Sequence, residues 1–199
     1  MAAAAHASKR MTLMHESARL FRHRSYHATS MSDIAEAMQL NKGTLYYYYS
    51  SKSDILYAIY LEAYSRLDHN IAQIPQSLPA DEELSAYIKA ILRTVASAPD
   101  VIAVYFQEHP WLETSLTPEQ ARTVREKEKA FTGQLEEIVR AGVRSGVFRR
   151  VSDRLLAVQL LAMISSLYRW HLAENEASAE LIADTVLAYI YEGVLTPKR

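Results

Sequence analysis

Three helix-start signals follow one another closely near the N-terminus, and they constrain the fold more than any other feature of the sequence. Ser30 and Asp33 have the spacing of a capping box, in which the side chain of each residue accepts a hydrogen bond from the backbone N–H of the other. Asn41 is a preferred N-cap residue, and Ser51 with Asp54 repeats the first spacing. Helices that restart this often are short, so this part of the chain is expected to form several small helices.

The first two of these helices are predicted over about residues 30–39 and 42–49, with about three residues of turn between them. A long helix follows over about 52–73, and an amphipathic helix precedes them over about 9–24. Two short helices joined by such a turn form the helix-turn-helix unit, which places its second helix in the DNA major groove. An αα-corner of a helical enzyme has the same local pattern, so the spacing alone leaves both interpretations open.

The rest of the chain is also predicted to be helical. Only five glycines and six prolines occur in 199 residues, and no segment has the alternating pattern of a strand. We therefore expect an all-α fold of nine helices, with a frayed lead-in over 1–8, a helix-turn-helix head over 9–52 and a helical body over 53–199. The body helices are expected over about 82–97, 99–109, 118–145, 152–172 and 178–194.

The net charge of −1 conceals an asymmetry between the two parts of the chain. Residues 1–52 hold seven Lys and Arg against three Asp and Glu, a net charge of +4, and the remainder carries −5. A basic segment joined to an acidic body indicates a polyanionic partner for the first part. The absence of cysteine, of a signal-peptide core and of any apolar run of about 18 residues predicts a cytoplasmic protein without disulfides or a membrane span.

Four consecutive tyrosines follow Leu45, and a turn of about 100° per residue points them in four directions. Leu45 and Tyr49 share one face and are predicted to pack inward on the preceding helices. The opposite, outward face is centred on Gly43 and Tyr47, with Tyr46 beside it. The run of tyrosines therefore divides into different environments on one short helix.

The outward face has the chemistry of a DNA contact. Gly43 costs about 0.8–1 kcal/mol of helix stability relative to Ala, which is reasonable where another surface approaches closely. Thr44 and the tyrosine hydroxyls can donate to phosphate oxygens, and Tyr48 lies at the edge of this face. Lys42 and Lys52 supply positive charge. In the alternative interpretation, all four tyrosines cover a core or a protein interface.

The segment TSMSDIAEAMQLNKGTLYYYYSSKSDIL resembles the DNA-binding domain of TetR-family transcriptional regulators. That family typically reads T-x-x-x-I-A-x-x-x-G-V-S-x-G-x-L-Y-x-H-F-x-S-K-x-x-L, and the resemblance covers about residues 10–57. The positions in register are Ile34, Ala35, Gly43, Leu45, Tyr46, Ser51, Lys52 and Leu56.

The resemblance implies a DNA-binding surface and four departures from the family pattern. The implied DNA-binding residues are Ser30, Ser32, Lys42, Gly43, Thr44, Tyr46, Tyr47, Tyr48 and Lys52. Ser25 and Gln39 stand near positions where the family has Gly, Tyr48 replaces the usual His, and Ser32 replaces a frequent Arg. These departures affect individual contacts and leave the expected fold unchanged.

The resemblance also implies a homodimer through the last two helices, 152–172 and 178–194. Both are apolar on more than one side, so each needs two partners. A monomer that buries both sides internally is the alternative. The expected interface residues are Val158, Leu161, Ser165, Leu187 and Tyr191.

The family's usual effector is a small molecule bound in the body, and here a largely apolar one is expected, with an acyl-CoA-like molecule as one candidate. The expected lining residues are Leu67, Ile91, Tyr105, Phe106, His109, Phe131, Leu135, Ile164, Tyr168 and His171. Apolar and aromatic residues at these positions also suit an ordinary helical core. No set of His and carboxylates has convincing metal spacing, and no cofactor is expected.

The resulting prediction is a ligand-responsive, sequence-specific regulator, associated with the nucleoid when bound to DNA and released as a repressor from a palindromic operator by its effector. The alternative is a DNA-bound interaction protein of the same fold without a small-molecule effector. No nucleophile and base pair, phosphate-binding loop or paired-carboxylate motif indicates an enzyme. Repression and activation cannot be distinguished from the sequence.

Overall fold

Nine helices account for most of the chain in the computed structural model, which describes the backbone of residues 2–171 and 179–194 and the side chains of residues 4–166 and 181–194. The expected all-α fold is confirmed, and these described residues contain no strand. The helices are α1 (Ala2–Arg24), α2 (Met31–Ala37), α3 (Lys42–Tyr48), α4 (Lys52–Ile71), α5 (Ala80–Ser97), α6 (Pro99–Glu108), α7 (Pro118–Ser145), α8 (Asp153–His171) and α9 (Ala179–Val194). A 3-10 turn over His109–Trp111 and one helical turn over Leu112–Ser115 connect α6 to α7.

The predicted helix starts are confirmed at atomic detail. The Ser30 hydroxyl accepts the backbone N–H of Asp33 at 3.2 Å, and the Asp33 carboxylate accepts the backbone N–H of Ser30 at 2.7 Å. Asn41 Oδ1 accepts the Thr44 N–H at 2.7 Å and begins α3. Thr117 and Gln120 form the same reciprocal pair at the start of α7.

The expectation of a frayed lead-in over residues 1–8 is wrong for residues 2–8, which belong to α1. Ala2 to Ala5 and Ala7 have the highest helix propensity and lose no side-chain entropy in a helix, so they extend the helix upstream of its packed part. Leu13 and Met14, further along α1, are buried. The helix therefore starts about two turns earlier than the apolar pattern indicates.

Ser25 and Gln39 adopt the left-handed conformation just after the ends of α1 and α2. Ser25 has φ 69° after α1, and Gln39 has φ 53° after α2. Both stand near the places where the related pattern has Gly, and a non-glycine residue in this region costs about 1–2 kcal/mol. At the second turn, the Leu40 N–H donates to Ala35 O at 2.9 Å, which closes α2 and redirects the chain into α3.

The chain divides into two compact units that do not follow chain order. The first consists of residues 1–64 and 98–125, so α6 belongs to the same unit as the three short N-terminal helices. Its fully buried side chains include Leu13, Phe21 and Leu45.

The second unit consists of residues 65–97 and 126–199. In it α5 packs against α9, and the Tyr191 hydroxyl donates to Asp81 O. Gly142 is covered by the ring of Phe148, which is 2% exposed. Within the described ranges of the whole chain, no helix is both long and apolar enough to cross a membrane.

Candidate nucleic-acid interface

The tyrosines from Tyr46 to Tyr49 divide between core and surface, with Tyr49 just after the end of α3. Leu45 is fully buried and Tyr49 is 3% exposed, whereas Tyr46 is 49% and Tyr47 is 72% exposed. Tyr48 is half-buried. The prediction of an inward Leu45–Tyr49 face and an outward Tyr46–Tyr47 face is confirmed, while contact of the outward face with DNA stays a prediction.

Tyr49 is the residue that fixes the end of α3 on α1. Its backbone is extended, so α3 ends at Tyr48 and the chain turns toward α4. The Tyr49 hydroxyl donates to Arg10 O at 3.1 Å, and the Arg10 guanidinium lies 4.7 Å above the ring. Burial raises the pKa of Tyr49 and Arg10 opposes this, so the phenol remains a neutral donor at physiological pH.

The first turn of α3 presents a small, exposed surface. Lys42 and Gly43 are exposed, and Thr44 is half-buried. The Thr44 hydroxyl donates to Asn41 Oδ1 at 2.8 Å, so the N-cap already uses its proton. A Cβ added to Gly43 would lie 3.4 Å from Asn41 Oδ1, which is an ordinary contact. The fold therefore does not require glycine at this position.

Ser30 and Ser32, at the start of α2, are predicted phosphate contacts. The structure shows which hydrogen bonds the Ser30 hydroxyl makes within the chain. Ser30 is exposed and Ser32 is half-buried. The Ser30 hydroxyl donates to Asp33 Oδ2 at 2.6 Å, which lowers the pKa of Asp33 and keeps a carboxylate next to this surface. Ser30 therefore has an established role as a helix cap, and any phosphate contact must coexist with that carboxylate.

Lys52, a predicted phosphate contact, makes two hydrogen bonds within the chain. Its ammonium donates to Tyr26 O and Thr29 O, both at 2.8 Å, and lies 4.3 Å above the Tyr26 ring. Burial lowers the pKa of Lys52, and the carboxylates of Glu108 and Asp33 oppose that shift. Two of its three N–H donors thus join the start of α4 to the loop between α1 and α2, because that loop turns its carbonyls toward α4.

Glu108 is a buried carboxylate that sequence reasoning did not identify. Its side chain is 6% exposed, and Oε2 lies 3.3 Å from Nε2 of His27. Burial raises the pKa of Glu108, while His27, a backbone hydrogen bond from Tyr26 and Lys52 lower it. Glu108 thus connects the end of α6 electrostatically to the same loop that Lys52 holds.

His6 is a second residue that was missed, since it lies in the segment expected to be frayed. Its ring stacks on Tyr48 with centroids 4.7 Å apart and an interplanar angle of 29°. It also meets Tyr47 edge-on at 5.4 Å. No periodic signal in the Ala-rich start could have revealed these contacts, because they depend on where α1 passes α3.

The predicted effector-lining residues fall into two groups. Tyr105, Phe106 and His109 lie together in the first unit, where the Tyr105 ring is 5.1 Å from Phe106 and 5.7 Å from His109. Tyr60 and Tyr64 of α4 complete this aromatic cluster, with ring centroids 5.2 Å and 5.7 Å from Tyr105. The hydroxyls of Tyr64 and Tyr105 are 3.0 Å apart.

The other predicted lining residues belong to the second unit. Leu67, Ile91, Leu135 and Ile164 are buried there, and Phe131 stacks on Tyr87 at 5.5 Å. The side chains of Tyr168 and His171 lie outside the described residues. Three of the predicted residues therefore belong to the first unit and five to the second. Among the described side chains, no group of three or more His, Asp or Glu could hold a metal ion.

The predicted dimer residues also separate into two classes. Val158 is 51% exposed, and Leu161 and Ser165 are half-buried. Leu187 is a correction, since it is 5% exposed and contributes to the core of its own unit. Tyr191 is half-buried, its hydroxyl is used within the chain, and burial raises its pKa.

Other residues of α8 and α9 are more exposed than the predicted ones. Leu155 is 64%, Leu181 is 59% and Tyr189 is 72% exposed. Leu155 and Val158 are one turn apart on α8, and Leu181 and Tyr189 are two turns apart on α9. Each helix thus carries an exposed apolar face in addition to the face that it buries.

Comparisons with protein-family models match both the N-terminal and the C-terminal part of the chain. Residues 13–59 match the family model described as bacterial regulatory proteins, tetR family, and residues 77–194 match the tetracyclin repressor-like C-terminal domain. The HTH-type transcriptional repressor KstR2 of Rhodococcus jostii is 25% identical over 191 residues, covering 95% of this chain and 92% of the relative.

Two solved structures have the same fold over most of their length. The TetR-family regulator PfmR of Thermus thermophilus has a TM-score of 0.83 at 29% identity, covering 90% of this chain and 97% of that one. AibR, solved in complex with isovaleryl coenzyme A and operator DNA, has a TM-score of 0.79 at 24% identity, covering 90% and 96%.

Proposed function

This chain belongs to the TetR family of bacterial transcriptional regulators, and on that premise we propose that it is a repressor that binds a palindromic operator as a homodimer and is released by a small, largely apolar effector. The observation that carries the proposal is the division of α3. Leu45 and Tyr49 anchor the helix in the core, while Tyr46, Tyr47 and the bare backbone of Gly43 face outward.

In the proposed DNA complex, α3 enters the major groove. Tyr46 and Tyr47 contact phosphates and base edges, and Gly43 lets the backbone approach closely. Lys42 supplies charge for a phosphate. We assign Lys52 to positioning, since two of its N–H donors hold the loop before α2. Ser32 and the edge residue Tyr48 complete the proposed surface, together with Ser30, the cap of α2, and Thr44, which bonds to the cap of α3.

The exposed apolar faces of α8 and α9 support dimerisation. Leu155 and Val158 on α8, with Leu181 and Tyr189 on α9, form the proposed interface, with Leu161 and Ser165 next to it. A twofold dimer places two recognition helices about 34 Å apart, in successive major grooves. Val158→Asp should convert the dimer to a monomer in sedimentation experiments, and an unchanged dimer would exclude this interface.

The aromatic cluster around Tyr105 supports an effector site beside α4. Tyr60 and Tyr64 belong to α4, so displacement of the Tyr105 ring by a ligand changes the packing of the helix that begins at Lys52. A coupling of about 1–3 kcal/mol between effector and operator gives a 5–150-fold change in affinity. The complex of AibR with isovaleryl coenzyme A favours an acyl-CoA-like effector here.

The decisive experiment is selection of genomic DNA fragments by the wild-type protein, followed by titration of the selected operator with variants. The double variant Tyr46→Ala, Tyr47→Ala should lose operator binding. Trp111→Ala is the matched control, because it removes an aromatic ring of 56% exposure from the turn after α6, in the same unit. Intact operator binding by the double variant would contradict the assignment of α3.

The effector is tested with the same operator. Short-chain acyl-CoA thioesters should release the protein, whereas coenzyme A alone should not. A protein whose operator affinity is unchanged by every thioester and fatty acid tested would instead be the alternative, a DNA-bound interaction protein. A reporter gene behind the operator then distinguishes repression from activation.

A further inference from the structure

The first turns of α1 lie outside the part of the chain that matches the family model. That match begins at residue 13, whereas α1 begins at Ala2. Residues 4, 5 and 7–12 are exposed, but His6 in their midst is half-buried. The cause is local, because the His6 ring rests on the end of α3.

The contact is a three-ring cluster on the proposed DNA-facing helix. His6 stacks on Tyr48 at 4.7 Å and meets Tyr47 edge-on at 5.4 Å, and the two tyrosine rings are themselves edge-to-face at 5.1 Å. These distances and angles are those of favourable aromatic pairs. Both rotatable tyrosines at the end of α3 are therefore restrained by one side chain of α1.

The cluster restrains Tyr47 without covering it. Tyr47 is 72% exposed with His6 in place, so its ring remains accessible from the outward face of α3. An exposed tyrosine without such a neighbour would sample several rotamers and lose that freedom on binding. Restraint in the free protein lowers this entropic cost, which is the general advantage of preorganisation.

We propose that His6 is a positioning residue of the recognition surface: it holds Tyr47 and Tyr48 in the orientation in which they meet DNA, and the N-terminal turns of α1 thereby form part of the DNA-binding element. This inference rests on the proposed operator binding through α3. The turn that supplies His6 is itself held, because the Tyr49 hydroxyl donates to Arg10 O one turn further along α1.

The test compares three full-length variants on the selected operator and on a scrambled duplex, at several salt concentrations. His6→Ala should weaken operator binding about 2- to 10-fold, as expected for the loss of aromatic contacts that order two side chains. His6→Phe retains a stacking ring and should restore affinity to within about twofold of wild type. Ser8→Ala is the matched control, an exposed residue of the same helix turn.

Positioning has a signature that a direct phosphate contact lacks. The salt dependence of binding by His6→Ala should equal that of the wild type, since no phosphate partner is lost, and the preference for operator over scrambled DNA should fall. A salt slope reduced by about 1 would identify a direct phosphate contact and overturn the proposal. Unchanged operator affinity in His6→Ala would also overturn the proposal. Increased affinity would overturn it too, because it would mean that the His6 ring covers the tyrosines and hinders DNA binding.

Failure of the inference is distinguishable from failure of the proposed function. If the wild-type protein selects no DNA, operator binding itself is refuted. If the wild type and Ser8→Ala bind the operator and His6→Ala binds it equally well, only the role of His6 is refuted. Thermal unfolding of each variant confirms that the comparison is made between folded proteins.

Discussion

Replacing Gly43 by Ala should stabilise the protein and weaken its binding to DNA. The added Cβ lies 3.4 Å from Asn41 Oδ1, an ordinary contact, so the N-cap bond to Thr44 is retained. The position lies in the first turn of α3 and has no left-handed φ. Ala in a helix is favoured over Gly by up to about 1 kcal/mol, which for a chain of this size raises the melting temperature by about 2–4 °C.

The same methyl group occupies the surface where α3 is proposed to meet the major groove. Loss of one well-made contact with DNA costs about 1–3 kcal/mol, so operator affinity should fall about 5-fold or more. Stability and binding therefore move in opposite directions, which separates a site reserved for a partner from one required by the fold.

Gly133→Ala is the matched control, because Gly133 is exposed within α7 and an added Cβ there has nothing within 4 Å. It should gain the same stability and bind operator as the wild type does. Differential scanning calorimetry and fluorescence anisotropy with labelled operator measure the two quantities. A destabilised Gly43→Ala protein, or one that binds operator with wild-type affinity, would refute the reasoning.

Three further predictions concern packing and charge. Gly142→Ala should lower the free energy of unfolding by about 1–3 kcal/mol, since its Cβ would lie 2.1 Å from the buried ring of Phe148; wild-type stability in chemical denaturation would contradict this packing. Lys52→Met should cost about 1–3 kcal/mol of stability and leave the salt dependence of DNA binding unchanged. Lys42→Met should reduce the slope of that salt dependence by about 1 without destabilising the protein. The opposite pattern would identify Lys52 as a direct phosphate contact. Burial raises the pKa of Glu108 above its ordinary value of 4.5, so the folded state holds the Glu108 proton more tightly than the unfolded state does. The contribution of Glu108 to stability therefore falls as the pH rises through the raised pKa. Glu108→Gln should flatten this part of the plot of stability against pH, and an unchanged plot would assign the slope to another group.

The helices of the head could be predicted because their determinants are local. Ser30, Asn41 and Ser51 each bond to backbone groups within three residues, and that chemistry is visible in sequence. The angular division between Leu45 and Tyr47 follows from helix geometry and needs no knowledge of the neighbouring helices, whereas Tyr49 lies just after α3 and is held by its bond to α1. One buried leucine, Leu45, is sufficient to fix which side faces inward.

The features that could not be predicted depend on tertiary structure. The sequence shows that Lys52 is a cation at a helix start, but not that the carbonyls of Tyr26 and Thr29 turn toward it. On α9 the apolar residues cover more than one side, so Leu187 and Tyr189 are equally good candidates for an interface. Leu187 and Tyr189 point about 200° apart around the helix axis, and only the packing of neighbouring helices decides which of them is buried.

The early start of α1 has a practical consequence for every measurement on this protein. His6 lies four positions after Ala2, about 6 Å along the helix axis. A tag or fusion partner placed ahead of Ala2 therefore begins within one Debye length of His6 at physiological ionic strength, which is about 8 Å. Its charge acts directly on the approach of a polyanion, so apparent operator affinities will vary with the fused sequence, and most strongly at low salt.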